Sequence, residues 1–304
     1  MVTLRGLTPD DAARLGPLVR DASLREAFDD LVPEGRLAHR FADPHFHLAG
    51  GVVAESSGEP VGFGFSVLLG GAESPWAFVQ VGVRGDHRRR GLGTRLVEHV
   101  TSRQRELPQA ERPREQVVGA YLPSPEAEGF VAKLGFRHGR YYWRMMRLPD
   151  RTLAVSWPPG VTAREFDGGE SALADWNAIY NDSFAEHHRF VRSTLDLARE
   201  LTKAPDFERR DLMLAYRDGR VVGFCRNEAI GDMGYIGTLG VTRSARGIGL
   251  GRALLRWGVR DLSERGFAKV ALMVDGENES ALGLYRSEDF VVERTRSLWE
   301  RALP

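Results

Sequence analysis

The chain has 304 residues, a length that suits two domains of about 150 residues each. Its 42 lysine and arginine residues balance 42 aspartate and glutamate residues, so the net charge gives no general attraction for nucleic acid or an anionic membrane. The single cysteine, Cys225, excludes an internal disulfide and a cysteine-ligated zinc site. No apolar run is long enough to span a membrane and the first residues lack a signal-peptide pattern, so a cytoplasmic protein is expected.

The predicted elements follow the same order twice along the chain. Each half reads as a strand, a helix, two hairpin strands, a central strand, a glycine-rich loop, a helix, a strand, a short helix and final strands. The predicted central strands are 77–83 and 235–241, and the strands after the loops are 117–122 and 270–274. Because the second set comes about 160 residues after the first, we predict a duplicated α+β protein. Each half is expected to hold a mixed, mostly antiparallel sheet flanked by helices.

The boundary between the halves is predicted near residues 148–160, where three prolines and a glycine interrupt the periodic segments. The strand predicted from residue 161 then resembles the opening strand of the chain. We therefore assign 1–150 to an N-terminal domain and 158–304 to a C-terminal domain.

A glycine-rich loop joins the central strand to the next helix in both halves. Such a loop presents several backbone N–H groups to one point, and the helix dipole adds partial positive charge there. Glycines also let phosphate oxygens approach the backbone without obstruction by Cβ atoms. Five arginines lie in or beside the two loops: Arg88, Arg89, Arg90, Arg246 and Arg252. We therefore predict a phosphate-binding cradle in each half.

A dinucleotide-binding fold is the alternative kind of phosphate site. Asp275 ends the strand after the second loop, about where a ribose-binding acid would lie. However, both loops lack the third glycine of the G-x-G-x-x-G pattern, and both come after three predicted strands of their half. Too few residues follow Asp275 to complete a doubly wound sheet, so a dinucleotide site is not predicted.

The two loops resemble the coenzyme A pyrophosphate loop of the GCN5-related N-acetyltransferase (GNAT) family. The resemblance rests on the Arg-x-x-Gly-x-Gly pattern at 88–93 and 246–251, each after a strand that ends in valine. In the second half it extends to 278–290, which resembles the family's following helix with its Asn, Ala and Leu-Tyr residues. The resemblance covers nearly the whole chain. It implies two tandem acyl-CoA N-acyltransferase domains with acetyl-CoA as the cofactor.

In the C-terminal half, the resemblance implies a role for each part of the site. The backbone of Leu239 and Val241 would hold the pantetheine arm and polarise the acetyl carbonyl. Tyr285 would protonate the departing thiolate while an amine attacks the thioester directly. The cofactor-binding residues implied here are Leu239, Val241, Arg246, Gly247, Ile248, Gly249, Leu250, Gly251, Arg252 and Asn278.

The N-terminal half keeps the loop but departs from the family at the following helix. Phe130 is predicted to occupy the position of Tyr285, and a phenyl ring cannot donate a proton; the asparagine is absent as well. This half is therefore predicted to be catalytically degenerate, although its loop would still bind coenzyme A. The cofactor-binding residues implied here are Val81, Val83, Arg88, Arg89, Arg90, Gly91, Gly93 and Thr94.

The acceptor amine must be neutral to attack, so a general base or a water chain is expected. Residues 181–188 lie where the family builds its acceptor pocket, and the candidates for the base are Glu186, His187 and Asp232. The same stretch resembles the mycothiol synthase family, whose members are tandem as well. There the central strand of the active copy begins with a glutamate, whereas this chain has Tyr235. We therefore predict acetyl transfer to another small-molecule amine.

Three other functions stay open beside this prediction. The chain could act as a mycothiol synthase, could acetylate a protein or peptide, or could bind coenzyme A without catalysis. His45 and His47 have no further ligands at a suitable spacing, so no metal site is predicted. No nucleic-acid or membrane partner and no oligomeric state are predicted.

Overall fold

The chain divides into two compact units. The computed structural model describes residues 2–21, 24, 34–70, 74–204 and 206–303. One unit consists of Met1–Tyr142 with Arg294–Pro304, and the other of Trp143–Glu293. The cut therefore falls at other residues than the predicted 1–150 and 158–304.

The first unit follows the predicted order of elements. Its strands are β1 (Val2–Gly6), β2 (Val52–Ser56), β3 (Glu59–Leu69), β4 (Trp76–Val83), β5 (Glu115–Leu122) and β6 (Arg137–Arg147), the last of which continues into the second unit. Its helices include α1 (Asp11–Arg14), α2 (Gly16–Val19), α3 (Glu34–Phe41), α4 (Leu92–Arg105) and α5 (Pro125–Lys133). Strands β1 to β5 are neighbours in chain order, and the pairs are antiparallel except for the parallel β4 and β5.

The second unit repeats this plan. Its strands are β7 (Val161–Glu165), β8 (Leu212–Arg217), β9 (Arg220–Ile230), β10 (Met233–Val241), β11 (Val270–Asp275) and the start of β12 (Val291–Ala302). Its helices include α6 (Glu170–Phe184), α7 (Leu195–Leu201), α8 (Leu250–Glu264) and α9 (Glu279–Ser287). Strands β7 to β11 are antiparallel neighbours except for the parallel β10 and β11. The predicted fold class, a mixed and mostly antiparallel sheet flanked by helices in each half, is confirmed.

Two chain segments explain where the units divide. In the first unit, residues 295–302 of β12 pair along the whole of β5. In the second unit, Arg147 donates a hydrogen bond to the carbonyl oxygen of Glu288 at 3.0 Å, and the Asp150 N–H donates to Ser263 Oγ at 2.8 Å. The C-terminal segment 295–302 thus belongs to the first unit, and the segment around residues 147–150 belongs to the second.

Helices cover both faces of the sheet in the second unit. Leu250 and Leu254 of α8 are buried with Ile236 of β10 on one face. Ile179 of α6 and Phe224 of β9 are buried together on the other face. Each helix has an apolar stripe along one side, and packing against the sheet removes that stripe from water. Within the described ranges, none of the helices is long and apolar enough to cross a membrane.

Candidate cofactor and acceptor site

The glycine-rich loop of the second unit bends where its glycines allow it. Gly247 and Gly249 have φ angles of +79° and +89°, a region that side-chain-bearing residues rarely adopt. Gly249 directly precedes α8 and, as the N-cap residue, has no side chain with which to cap this helix end. The first N–H groups of α8 and its dipole are therefore available to an anion.

The loop of the first unit follows a similar backbone path. Gly91 has φ +74° and directly precedes α4, which also has no side-chain cap. Arg89, with φ +62°, stands two residues before it, at the place that Gly247 occupies in the other loop. Both units thus keep the backbone shape of the predicted cradle. Binding of coenzyme A by the first unit stays a prediction.

The two central strands of each unit pair briefly and then separate. Strands β10 and β11 are joined only from Gly234 to Ile236, whereas β10 stays paired with β9 up to Val241. Residues 238–241 therefore have backbone groups on an edge that β11 does not cover. Strands β4 and β5 likewise pair over three residues, 76–78 with 115–117. An uncovered strand edge of this kind can bind an extended ligand through main-chain hydrogen bonds.

A β-bulge distinguishes the central strand of the second unit from that of the first. The register of β9 and β10 shifts between Ile236 and Thr238, so Gly237 is an extra residue of β10. The matching pair of β3 and β4 keeps an unbroken register over its whole length. A bulge interrupts the ladder of hydrogen bonds and redirects backbone groups. The backbone of β10 therefore differs from that of β4 at this level of the central strand.

Tyr285 lies inside the second unit, on helix α9. It packs against the core that contains Cys225, with its ring centroid 6.0 Å from that of Phe290. Burial raises the pKa of the Tyr285 phenol well above its ordinary value, and the neighbouring Cys225 raises it further. The phenol therefore stays protonated at neutral pH, the form that a proton donor needs. Cys225 is the cross-strand partner of Leu239, so Tyr285 lies near the strand predicted to hold the pantetheine arm.

The hydrogen bonds of α5 and α9 correct the predicted counterpart of Tyr285. The Tyr285 carbonyl oxygen accepts a hydrogen bond from the Phe290 N–H at 3.0 Å. In the first unit, the Phe136 N–H donates in the same way to the Val131 carbonyl oxygen at 3.1 Å. Val131, not Phe130, is thus the equivalent residue, and the prediction was wrong by one position.

Contacts with the loop glycines support this correction. A Cβ atom on Gly93 would lie 3.1 Å from the Phe130 ring, and one on Gly251 would lie 3.6 Å from Leu284. Phe130 therefore corresponds to Leu284. Because valine has no proton to donate either, the prediction of a degenerate first unit does not depend on the error.

The side chains of Asn278 and Arg252, both predicted to bind the cofactor, have partners on or beside helix α9. Asn278 Oδ1 accepts a hydrogen bond from the Ala281 N–H at 3.1 Å and so caps α9. The Arg252 guanidinium donates to the buried Glu288 carboxylate at 2.7 Å. Both side chains thus hold α9 in place, while the Arg252 N–H remains part of the helix end at the loop.

Asp289 adopts a backbone conformation that glycine would adopt without strain. Its φ angle is +63°, and the corresponding residue of the first unit is Gly135, with φ +82°. We expect Asp289→Gly to raise the free energy of unfolding by about 0.5–1 kcal/mol, because the left-handed region is unfavourable for a residue with a Cβ atom. The urea midpoint measures this. Gly135→Asp should shift the midpoint the other way, and an unchanged midpoint in Asp289→Gly would refute the assignment of strain.

Glu186 lies beside arginines of the second loop. Its carboxylate accepts a hydrogen bond from Arg243, and the second oxygen is 3.6 Å from Nη1 of Arg246. Arg243 belongs to the short 3-10 turn that precedes the loop, and the sequence reasoning missed it. His187 stacks edge-on against Phe184 with centroids 4.6 Å apart, and burial lowers its pKa. Glu186 and His187 as base candidates stay predictions.

We expect Glu186→Gln to tighten the binding of coenzyme A about two- to five-fold. The carboxylate competes with cofactor phosphates for Arg243 and Arg246, and an exposed ion pair of this kind is weak. Calorimetric titration with coenzyme A measures the change. Glu170→Gln is the control, since Glu170 pairs with Arg199 at 2.9 Å elsewhere on the surface of the unit. Weaker or equal binding by Glu186→Gln would contradict the competition.

The fold and this site define an acyl-CoA N-acyltransferase. Splayed central strands, a helix that follows a glycine-rich loop and a half-buried phenol near the gap occur together in the second unit. In the part of the chain that the structure describes, no three histidine, cysteine or acidic side chains are grouped as metal ligands would be.

Comparisons with known proteins identify the family. Residues 173–290 match the family model described as "Acetyltransferase (GNAT) family", and residues 47–138 match "Acetyltransferase (GNAT) domain". The chain is 32% identical over 304 residues to a mycothiol acetyltransferase of Frankia alni, covering 94% of this chain and 86% of the relative. It is 30% identical over 292 residues to that of Kytococcus sedentarius, covering 92% and 90%. The chain belongs to the GNAT family, as a tandem member, and is an enzyme of the N-acetyltransferase type.

Solved structures agree with this assignment. A GCN5-related N-acetyltransferase from Sphaerobacter thermophilus is similar with a TM-score of 0.73 and 25% identity, covering 99% of this chain and 95% of the other. The tandem GNAT protein from the clavulanic acid biosynthesis pathway, solved without AcCoA, has a TM-score of 0.75 at 19% identity, covering 99% and 98%. The second likeness shows the fold alone.

Proposed function

We propose that the second unit transfers the acetyl group of acetyl-CoA to a primary amine of a small molecule, by direct attack in a ternary complex. The observation that carries the proposal is the position of Tyr285, a protonated phenol next to the bulged and splayed central strand. The first unit has Val131 at that position and an unbroken strand register. We propose that it is a catalytically degenerate copy that keeps the cofactor loop.

The residues present fit acetyl-CoA. The amides of 247–252 and the guanidinium of Arg246 suit the pyrophosphate, since they combine backbone donors, a helix dipole and a positive charge. The free edge of Leu239 and Val241 suits the amides of the pantetheine arm. Bound acetyl-CoA supplies an activated acetyl group as a thioester. In the first unit, Val81, Val83 and the loop 88–94 offer a similar set of groups.

Each protein group then has a defined task. The backbone N–H groups beside the bulge donate to the oxyanion that forms on the acetyl carbonyl. The Tyr285 phenol donates its proton to the sulfur as the C–S bond breaks. Because a thiolate leaves more readily when it is protonated, this proton is expected to govern the turnover number.

The relatives named mycothiol acetyltransferase favour a small-molecule acceptor. A mycothiol-type acceptor is the second candidate, because one such relative is 32% identical over 94% of this chain. Tyr235 stands where the mycothiol synthase family has a glutamate on the central strand, which favours a different amine. Glu186, on the loop after α6, remains a candidate for the base.

A panel of amines tests the proposal directly. The protein is incubated with acetyl-CoA and with amino sugars, amino acids, cysteine conjugates, polyamines and short peptides, and acetylated products are identified by mass spectrometry. We expect one class of small amine to be acetylated with release of an equal amount of coenzyme A thiol. Transfer to peptides alone would favour a protein acetyltransferase. Binding of coenzyme A without any transfer would favour a non-catalytic module and refute the proposal.

A further inference from the structure

An ion pair on β9 lies against the bulge of the second unit. Arg226 Nη2 is 3.2 Å from Glu228 Oε2, and each side chain is only 17% exposed. A Cβ atom on Gly237 would lie 2.5 Å from Glu228 Oε1 and 3.3 Å from Arg226 Nη2. The pair therefore packs directly on the backbone of the bulge residue, where a Cβ atom would displace the Glu228 carboxylate.

The pair lies on the face of the sheet that α6 covers. Along β9, Phe224 packs with α6 and Cys225 packs with α8. Because side chains alternate between the two faces of a strand, Arg226 and Glu228 share the face of Phe224. Burial raises the pKa of Tyr180 on α6, and the charge of Arg226 partly offsets this, which places the two side chains near each other. The opposite face holds Tyr285, so the two sets of groups approach the central strand from different sides.

The fold itself does not require charged residues at these positions. In the matching strand of the first unit they are occupied by Phe65 and Val67, which are buried. Two charges that are mostly removed from water cost desolvation energy, and their mutual attraction only partly repays it. A mostly buried ion pair at this place therefore calls for a functional reason.

Glu228 is the direct cross-strand partner of Tyr235. Cross-strand partners project from the same face with their Cβ atoms close together. Glu228 thus places a carboxylate on β9 at the same level of the sheet as Tyr235. Beyond the bulge, Thr238 pairs with Arg226, and its buried Oγ1 has no hydrogen-bond partner within the described residues. This hydroxyl is suited to a polar group of a ligand.

We propose that Glu228 binds the ammonium group of the acceptor and takes its proton. Arg226 acts as a positioning residue that orients the carboxylate, and the Thr238 hydroxyl is a second polar contact for the acceptor. The inference rests on the proposed function, which it deepens by naming the base and the class of acceptor, a protonated small amine that enters from the α6 side.

The proton and bond changes balance as follows. The ammonium loses one proton to Glu228, and the freed nitrogen lone pair forms the C–N bond with the acetyl carbon. The C–S bond then breaks, and Tyr285 gives its proton to the sulfur. The nitrogen loses a second proton after the C–N bond has formed, and this proton replaces the one that Tyr285 gave to the sulfur. The proton taken up by Glu228 is the one released to solvent.

Charged and titratable groups surround Glu228 on several elements. They are Arg226 on β9, Tyr235 on β10 and Tyr180 on α6. Arg210 and Asp211, on the 3-10 turn before β8, are bonded instead to Asp261 and Arg265 at helix α8, which covers the other face. Arg226 thus places a guanidinium in contact with the Glu228 carboxylate and can orient it.

Glu228→Gln tests the inference, since it removes the charge and keeps the shape. With the best acceptor of the amine panel, we expect kcat/KM for the amine to fall about 100-fold or more at neutral pH. The dissociation constant for acetyl-CoA should stay nearly unchanged. The defect should shrink as pH rises, because solvent then deprotonates more of the amine, and Glu228→Asp should recover part of the activity.

Two matched variants keep the outcome unambiguous. Glu170→Gln, a surface carboxylate of the same unit, should behave as wild type. A Glu228→Gln variant with wild-type kcat/KM and pH profile, or one that loses acetyl-CoA binding, overturns the inference while the proposed function stands. A loss confined to Glu186→Gln overturns it as well and makes Glu186 the base. If wild-type protein acetylates no amine, the proposed function fails and this inference with it.

Discussion

Replacing Tyr285 by phenylalanine is expected to lower kcat for acetyl transfer about 100-fold or more, the usual scale for loss of a general acid. The substitution removes only the phenolic proton, and the ring keeps its packing against Phe290 and the core around Cys225. Binding of acetyl-CoA should therefore change little. Steady-state kinetics gives kcat, and calorimetry gives the dissociation constant.

Tyr216→Phe is the matched control for this prediction. The Tyr216 hydroxyl donates a hydrogen bond to Asp175 at 2.9 Å in the same unit, on a strand that is not next to the cofactor edge. It should keep wild-type kcat. If Tyr285→Phe also keeps wild-type kcat, Tyr285 has no part in the mechanism and another proton donor has to be sought.

A negative charge in the second loop is expected to weaken the binding of coenzyme A at least about tenfold. Ile248 lies between Gly247 and Gly249, and 39% of its surface is exposed, so Ile248→Asp leaves the core intact. A carboxylate about 5 Å from a phosphate charge is repelled by roughly 3 kcal/mol at an effective dielectric constant of 20. Screening by salt reduces this value, so calorimetric titrations should be run at low and high ionic strength.

Arg90→Asp places the same charge at the matching position of the first loop. If the cofactor that reacts is held by the second unit, Arg90→Asp should leave one full-affinity site in the titration. The wild-type stoichiometry, one or two per chain, then shows whether the first unit binds coenzyme A as well. Loss of all tight binding in Arg90→Asp, with normal binding by Ile248→Asp, would move the cofactor to the first unit.

Most of the fold could be predicted because its signals are local. Apolar spacing defines α8, and runs of β-branched residues define the central strands. The loops could be predicted for the same reason, since Gly91 and Gly249 mark the point where a strand turns into a helix. Tyr285 came from a resemblance to the family's helix, and its burial near the gap supports that resemblance.

Features that depend on pairing between distant residues could not be predicted in this way. Gly237 becomes a bulge only through its register with β9, and residues 295–302 join the first unit only by pairing with β5. The counterpart of Tyr285 was misplaced by one position, and the hydrogen bonds from the Phe136 and Phe290 N–H groups correct it to Val131. Arg226 and Glu228 did carry a signal, which was two charged residues at alternate positions in the middle of a predicted strand.

The central claim is that acetyl transfer takes place in the second unit. Initial rates of acetyl transfer from acetyl-CoA to the best amine, compared between Ile248→Asp and Arg90→Asp, test it most directly. At a cofactor concentration that saturates only the wild-type site, we expect Arg90→Asp to react at the wild-type rate and Ile248→Asp to lose most of its activity. The reverse pattern, or equal rates for both variants, would contradict the claim.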